Sequence, residues 1–304
     1  MTTTNANVVL AGATGNLGGR IASALLGRGA TVKAIVRRGT APDKVARLQQ
    51  PGMTVAEVDF ASTEGVAQAC SGATCVVSAL AGLRDVIVDA QTVLLEAAVK
   101  AGAARFIPSD YSIDFTRLPV GQNRNLDLRR EFHARLAQAP IAATSIFNGA
   151  FMDMLTGQAP FILFKFKRVL CWGHPDQRMD FTTIDDTAAF TAAAALDPST
   201  PRMLHIAGER VSARDLVTIA SEVTGQKFHL FRPGGLATLA TIIKIARALS
   251  PNPKALYPPW QGMQYMHNMF SGLADIEQLD NDRYPGMRWT TAREVLSKAS
   301  SSRK

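Results

Sequence analysis

Three glycines within seven residues, Gly12, Gly15 and Gly18, constrain this chain more than any other feature. The apolar run Val8-Val9-Leu10 precedes them and Ile21–Leu26 follows, so the segment Gly12-Ala13-Thr14-Gly15-Asn16-Leu17-Gly18 joins a strand to a helix. A nucleotide pyrophosphate needs a tight turn, a backbone without Cβ where the phosphate touches, and exposed N–H groups at a helix N-terminus. The GxxGxxG spacing differs from the more familiar GxGxxG, but it sits in the required strand, loop and helix context. Thr14 and Asn16 add side chains that bond phosphate or brace the turn. A dinucleotide-binding fold is the expectation.

The following residues repeat the pattern. Short β-rich runs at Asn7–Ala11, Thr31–Val36, Thr54–Val58, Thr74–Ala79, Arg105–Pro108 and Ala142–Phe147 alternate with helical segments near 16–28, 42–49, 62–70, 85–101 and 123–139. This alternation predicts an α/β chain with a Rossmann-type doubly wound parallel sheet. Gly27 and Gly29 mark the end of the first helix, Gly102 the fourth, and Pro140 the fifth. Beyond Phe147 the alternation loosens and Pro, Gly, Met and aromatic residues become frequent. The predicted division is a binding domain over 1–150 and a smaller C-terminal substrate lobe over 151–304, with about 180–210 returning to the main domain. In that return, Asp185-Asp186 cap an Ala-rich helix to Leu196, and Met203–Ala207 is a strand able to join the sheet. Ser212 caps a helix to Thr224, and Ser297–Lys304 is expected to fray.

With 47% hydrophobic residues among 304, the chain can fill a sizeable core. Residues 1–7 lack a secretory pattern and no uncharged apolar run reaches spanning length, so the expectation is a cytoplasmic protein without a membrane. Cys70, Cys75 and Cys171 have neither the count of a disulfide framework nor metal spacing, and are expected to be buried thiols. The five histidines also lack ligand spacing, so no metal is expected. Net charge is +8, from 33 basic and 25 acidic residues. Its cations are scattered, without a basic stripe interleaved with aromatics, which argues against a nucleic-acid partner.

The second strand runs into Arg37-Arg38, about twenty residues after the last glycine, where NAD-binding chains place an acid for the ribose hydroxyls. A guanidinium there matches a 2′-phosphate in charge and geometry. NADP(H) is therefore the expected cofactor, the alternative being that both arginines simply face solvent. Asp59-Phe60, at the end of the third strand, is suited to flank an adenine, although a strand-end Asp also serves as a helix cap.

With these residues, Ser78-Ala79-Leu80, the segment Arg105-Phe106-Ile107-Pro108-Ser109-Asp110-Tyr111, the segment Phe147-Asn148-Gly149-Ala150-Phe151 and the stretch Asp180–Asp186, the chain resembles the NmrA-like and isoflavone-reductase-like group of atypical short-chain dehydrogenases. The resemblance implies an NADP-binding domain, a substrate lobe and a cleft between them. It implies that Gly12, Thr14, Gly15, Asn16 and Leu17 hold the pyrophosphate, Arg37 the 2′-phosphate, and Asp59 with Phe60 the adenine side. Ser78, Ala79 and Leu80 would line the path to the nicotinamide, Pro108, Ser109 and Asp110 its far end, and Asn148 and Phe151 the border of the reaction site. Reductases of the group carry a lysine that this alignment replaces with Arg129, which can bond a ribose but relays protons poorly.

Hydride transfer needs no protein nucleophile, but carbonyl reduction also needs a proton. Tyr111 and His133, the latter one helical turn from Arg129, are the candidate donors. Each also has a plainer reading, as a packing residue and a helix-surface residue. Phe151, Met152, Trp260 and Met263 belong to a broad apolar set in the second lobe, suited to a flat apolar or aromatic ligand or to plain core. The apolar segment Leu236–Leu249 is expected to be a lid, with a buried helix or a membrane-surface helix as alternatives. The leading expectation is an NADPH-dependent oxidoreductase acting on a small aromatic carbonyl, enone or ether-type substrate. The alternative is an NADP(H)-sensing regulator without turnover. Oligomeric state is not legible.

Overall fold

In this computed structural model, which describes residues 6–301, six parallel strands form the central sheet: β1 (Asn7–Ala11), β2 (Thr31–Arg37), β3 (Met53–Val58), β4 (Cys75–Ser78), β5 (Arg105–Ile107) and β6 (Ala142–Ala143). Val8, Val9, Leu10 and Ala11 are all fully buried, as expected of a parallel strand covered on both faces. The strand order is β3-β2-β1-β4-β5-β6, so the winding reverses between β1 and β4. Ligands of such sheets bind at the carboxyl edge beside this reversal. Helices α1 (Asn16–Leu26), α2 (Pro42–Ala46), α3 (Thr63–Cys70), α4 (Gln91–Lys100) and α5 (Arg124–Leu136) intervene.

Several elements depart from the sequence reading for local reasons. The helix expected over 42–49 is only the single turn of α2. The helix expected from 85 opens as a π-helical turn over Asp85–Ala90, and α4 begins only at Gln91. The strand expected over Ala142–Phe147 divides at Thr144. The Thr144 amide still bonds the Phe106 carbonyl at 3.0 Å, whereas the Ser145 amide turns to the Arg202 carbonyl at 2.9 Å. Ser145–Phe147 is therefore a separate strand, β7, paired with β12 (Met203–His205) rather than with the central sheet. At the C-terminus, residues 297–301, expected to fray, complete a helix over Ala292–Ser301, and 302–304 lie outside the described residues.

The chain divides into two units. The first comprises Met1–Tyr111, Leu128–Ile146 and Thr187–Leu204; the second comprises Ser112–Asp127, Phe147–Asp186 and His205–Lys304. The returning segment is thus shorter than 180–210, residues 112–127 leave the first unit, and the second unit is not smaller. Within the first, buried Arg105 explains why the returning segment belongs there. Its guanidinium donates to the Ala194 and Ala195 carbonyls at 3.0 and 2.9 Å and to the Thr200 hydroxyl, satisfying the last turn of the Ala-rich helix α6 (Ile184–Leu196).

Among the described residues the second unit holds two small sheets and the helices α7 (Ala213–Thr224), α8 (Leu236–Leu249), α9 (Pro259–Phe270) and α10 (Ala292–Ser301). Strands β8 (Ala150–Phe151), β11 (Met179–Thr182) and β13 (Glu209–Val211) form one sheet; β9 (Ile162–Leu163), β10 (Arg168–Trp172) and β14 (His229–Gly234) form the other. Ser212 and Asp215 cap the helix Ala213–Thr224 reciprocally. For the Ala-rich helix, the hydroxyl at the N-terminus belongs to Thr183, which accepts the Asp186 amide at 3.0 Å. Leu236–Leu249 is a helix, α8, seated on the core through Leu239 and Ile243 while Ile242, Ile245 and Leu249 stay exposed, so it is not buried all round. Among the described residues no helix is long and apolar enough to cross a membrane.

All three cysteines are buried and unpaired. Burial pushes the Cys70 thiol up to about 11, against a small opposing effect of Lys33, and the Cys75 thiol up to about 12. Because the thiolate is the reactive form, native protein at pH 8 is expected to resist iodoacetamide, with three alkylations appearing by mass spectrometry only in denaturant. Rapid native labelling of Cys75 would contradict this packing.

Candidate functional site

Strand register gathers the predicted residues of the first unit at one edge. Ala11 pairs with Ile35 and with Ser78, Val77 with Ile107, and Arg37 with Val58. The loops that start at Gly12, Arg38, Asp59, Ala79 and Pro108 therefore all leave the carboxyl ends of their strands. Gly12 has φ +90°, and a Cβ there would lie 2.4 Å from the Ala79 carbonyl oxygen. A Cβ on Gly18 would lie 2.1 Å from the Gly12 carbonyl oxygen. These contacts press α1 against the turn, and the Gly15 amide closes it onto the Gly12 carbonyl at 2.9 Å. Helix α1 starts with no side-chain cap and no acid in its first turn, so its leading amides and dipole remain available to an anion. Asn16 accepts from Arg20 at 3.0 Å and braces that turn, while Thr14 is exposed.

Arg37 and Arg38 are exposed, and neither guanidinium has a hydrogen-bond or ion-pair partner among the described residues. A cavity of about 320 Å³ adjoins the glycine loop, lined in part by Thr14, Gly15, Ser23, Lys44 and Arg47. Sequence reasoning missed Lys44 and Arg47; the available signal was a pair of cations on a short Pro-initiated helix directly after Arg37-Arg38. Asp59 spends one carboxylate oxygen on the Ala61 amide at 2.9 Å, so it closes the turn into α3. Phe60 and Leu80 are partly buried against the apolar cluster beneath the sheet. Ser78 is fully buried and its hydroxyl has no partner among the described residues.

The loop after β5 is held from several sides. The Ser109 amide donates to the buried Gln91 side chain at 2.9 Å, and the Ser109 hydroxyl donates to the Leu80 carbonyl at 2.6 Å, which ties the β4 and β5 loops together. The Asp110 amide donates back to the Pro108 carbonyl at 2.9 Å. From α5, Arg129 Nε donates to the Ser109 carbonyl at 3.0 Å. One turn later His133 Nε2 lies 2.5 Å from Asp110 Oδ2, an oxygen that also accepts the Ser145 hydroxyl at 2.7 Å. Arg202 donates to Ser145 Oγ at 2.6 Å. Asp110 is fully buried, so His133 belongs to a buried polar cluster rather than to an open helix surface.

Tyr111 fits the proton-donor role poorly. Its ring is buried, its hydroxyl has no hydrogen-bond partner among the described residues, and burial drives the phenol well above its ordinary range. Thr191 lies beside that hydroxyl but donates its own proton to the Thr187 carbonyl at 2.7 Å.

In the second unit, Asn148 is fully buried, and neither its side-chain nitrogen nor its oxygen has a partner among the described residues. Leaving such atoms unsatisfied costs about 1–3 kcal/mol each, a cost that a ligand would remove. Its backbone is fixed by the Ser112 carbonyl at 3.1 Å and the Thr182 hydroxyl at 2.7 Å. Gly149 follows with φ +66°, where a Cβ would lie 2.2 Å from the Asp180 carbonyl oxygen. Nearby, the Phe147 ring stacks on His205 at 5.2 Å, and His205 Nε2 lies 3.1 Å from Asp114. Burial alone would raise the Asp114 carboxyl, but hydrogen bonds from His205 and Thr116 outweigh it and hold the group below its usual range.

The expected apolar wall is only partly open. Phe151 and Met263 are half-buried, whereas Met152 is fully buried in the core. Trp260 is 2% exposed. Its indole N–H donates to the Pro251 carbonyl at 3.0 Å, and the guanidiniums of Arg124 and Arg247 lie 4.8 and 5.2 Å from its ring. Arg124 also donates to the Pro253, Ala255 and Leu256 carbonyls. Trp260 thus clamps the segment 251–258, and Met152 is core packing; neither is an open substrate wall. Among the described residues no cluster of three His, Cys, Asp or Glu side chains could hold a metal.

Comparison with known proteins yields a match to the NmrA-like family model over residues 4–280. The probable pinoresinol-lariciresinol reductase 3 of Arabidopsis thaliana is 25% identical over 315 residues, spanning 95% of this chain and 96% of that protein. The solved structure of AtPrR2 with NADP+ and (+)pinoresinol superposes with a TM-score of 0.82 at 22% identity, covering 97% of this chain and 99% of that one. The leucoanthocyanidin reductase–NADPH complex from Vitis vinifera gives 0.80 at 18% identity, covering 97% and 99%.

The glycine contacts give a paired prediction. Gly18→Ala, driven into the Gly12 carbonyl, should destabilise the fold by about 1–3 kcal/mol. Gly19→Ala, whose Cβ would sit 3.4 Å from the Ala13 oxygen within the same helix, should be neutral or stabilise by up to about 1 kcal/mol. Urea denaturation of both variants checks this, and equal stabilities would remove the steric account.

Proposed function

The chain belongs to the NmrA-like family, and we propose that it is an NADPH-dependent oxidoreductase reducing a small apolar, aromatic substrate of carbonyl, enone or ether type. The observation that carries this reading is the set of cations without ion pairs among the described residues, Arg37 and Arg38 at the carboxyl end of β2 and Lys44 in the cavity beside the uncapped, glycine-lined helix start. NADP(H) fits that group: the glycine cradle is one a Cβ would fill, and free guanidiniums suit a 2′-phosphate. The relatives support the substrate class, being named as reductases of pinoresinol and lariciresinol.

In this reading Gly12, Thr14, Gly15, Asn16, Leu17 and Gly18 hold the pyrophosphate, Arg37 and Arg38 with Lys44 the 2′-phosphate, and Asp59 with Phe60 the adenine side. Ser78, Ala79, Leu80 and Pro108, Ser109, Asp110 line the nicotinamide end; within the second unit, Asn148 carries an orphaned amide able to bond a ligand. Phe151 and Met263 offer the apolar contact. NADPH supplies the hydride when bound. Arg129 holds the Ser109 carbonyl and keeps a fixed positive charge near the β5 loop, a binding task that suits a guanidinium. His133 acts as a positioning residue through Asp110.

The test is loss of NADPH absorbance with a panel of lignans, quinones and enones. NADPH binding without turnover across the panel would leave the sensing, non-enzymatic alternative. Arg37→Asp should shift the preference for NADPH over NADH by at least about tenfold toward NADH, because a carboxylate repels the 2′-phosphate. Unchanged selectivity would refute the assignment.

The role of His133 separates by substitution. His133→Leu should weaken NADPH affinity about tenfold or more by releasing Asp110 and its loop, whereas His133→Gln, which keeps an N–H at similar reach, should restore it with an unchanged pH profile. Loss of kcat in His133→Gln with affinity intact would instead make His133 the proton donor.

A further inference from the structure

Charge is distributed unevenly in the second unit. From Val223 to Ala274 there is no Asp or Glu, but there are Lys227, Arg232, Lys244, Arg247 and Lys254. From Met154 to Pro175 there is again no acid, with Lys165, Lys167 and Arg168 in between. The fold brings these two acid-free stretches together. β10 and β14 pair in parallel, with Arg168 opposite His229 and Leu170 opposite Phe231, and the His229 amide donates to the Lys167 carbonyl at 3.1 Å. Paired residues share a sheet face, and residues two apart on a strand do too, so Arg168, His229 and Phe231 face one way. None of the eight cations has an ion-pair partner among the described residues, and all are exposed.

Exposed apolar side chains occur in the same two stretches. Phe166 is 66% exposed between Lys165 and Lys167, and Phe231 is 45% exposed next to Arg232. β14 leads directly into α8, where Ile242, Ile245 and Leu249 recur at three- and four-residue spacing and form an exposed stripe flanking the buried Leu239 and Ile243. Leu249 is 82% exposed and Tyr257 is 64%. Taken alone, α8 carries only two cations, too few for firm attachment to an anionic membrane. The β10–β14 pairing adds the others from outside the helix.

We propose that this face, formed by the 165–168 turn, β14 and α8, docks reversibly on an anionic lipid surface. Phe166, Phe231 and the α8 stripe enter the headgroup boundary, and the lysines and arginines pair with lipid phosphates and carboxylates. Aliphatic and aromatic side chains interleaved with unpaired cations suit such an interface, where apolar burial and attraction to anionic lipid act together. A nucleic acid would gain little from Ile242, Ile245 and Leu249. A second copy on the same patch would set like charges face to face.

The test is co-sedimentation of the full chain with vesicles of phosphatidylcholine alone or mixed with phosphatidylserine. Binding is expected to the mixed vesicles only, and should fall at least about tenfold at roughly 0.5 M salt, where surface charges are screened. The double variant Lys165→Glu, Lys167→Glu and the variant Ile245→Glu should each weaken it at least about tenfold, whereas Arg28→Glu, on the other unit, should not. NADPH affinity and circular dichroism confirm that each variant is folded and leave the oxidoreductase reading separately testable. The proposal is overturned if binding to both vesicle types is equal or absent. It is also overturned if duplex DNA competes fully, or if Ile245→Glu converts a dimer to a monomer by light scattering without changing vesicle binding.

Discussion

The first unit depends on one close approach, the backbone of Gly18 against the carbonyl of Gly12, with Gly12 in turn against the carbonyl of Ala79. No side chain fits at either point, so the end of β1, the start of α1 and the end of β4 are held together by backbone alone. The helix therefore begins where two neighbouring strands diverge, and no protein carboxylate occupies its positive end. Packing geometry alone thus leaves the leading amides of α1 open to an anion, before any cation is considered. On the proposed reading, Arg37, Arg38 and Lys44 then select a 2′-phosphate.

A second consequence concerns the loops rather than the helix. Ser109 joins the β4 loop to the β5 loop, and Gln91 from α4 and Arg129 from α5 hold that junction. The π-helical turn before α4 has a visible purpose here, because it ends just where Gln91 must be buried to bond both the Ser109 amide and the Ile87 carbonyl. Irregular turns of this kind recur at functional sites. The polar cluster of Asp110, His133, Ser145 and Arg202 is buried, and a buried charge is tolerable only when its partners are fixed. That requirement makes the loop rigid, which is what a site that orients a cofactor needs.

What was legible in the sequence follows from the range of each signal. The glycine loop, the strand periodicity and the Ser212 cap are local, so the sheet, its register edge and most helices could be read directly. Arg37 was legible because its spacing from the glycines is a property of one βαβ unit. Contacts between distant segments were not. Nothing local distinguishes the Thr144 peptide, which switches partners between Phe106 and Arg202, from the interior of one strand. Trp260 and Met152 have the composition of a substrate wall, but Arg124, more than a hundred residues earlier, turns Trp260 into a clamp. His133 had the pattern of a surface residue until Asp110 folded under it.

Arginine at position 129 is better understood from these contacts than from proton chemistry. A lysine presents a single ammonium on a flexible stem, whereas a guanidinium presents several donors in one plane. Here one of them, Nε, is committed to the Ser109 carbonyl. That commitment places a guanidinium at the β5 loop, and one helical turn away His133 holds Asp110, the next residue of the same loop. Two side chains on a single helix face thus grip adjacent residues of the loop. The two holds differ in kind, since Arg129 fixes the backbone through the Ser109 carbonyl while His133 fixes the buried Asp110 carboxylate.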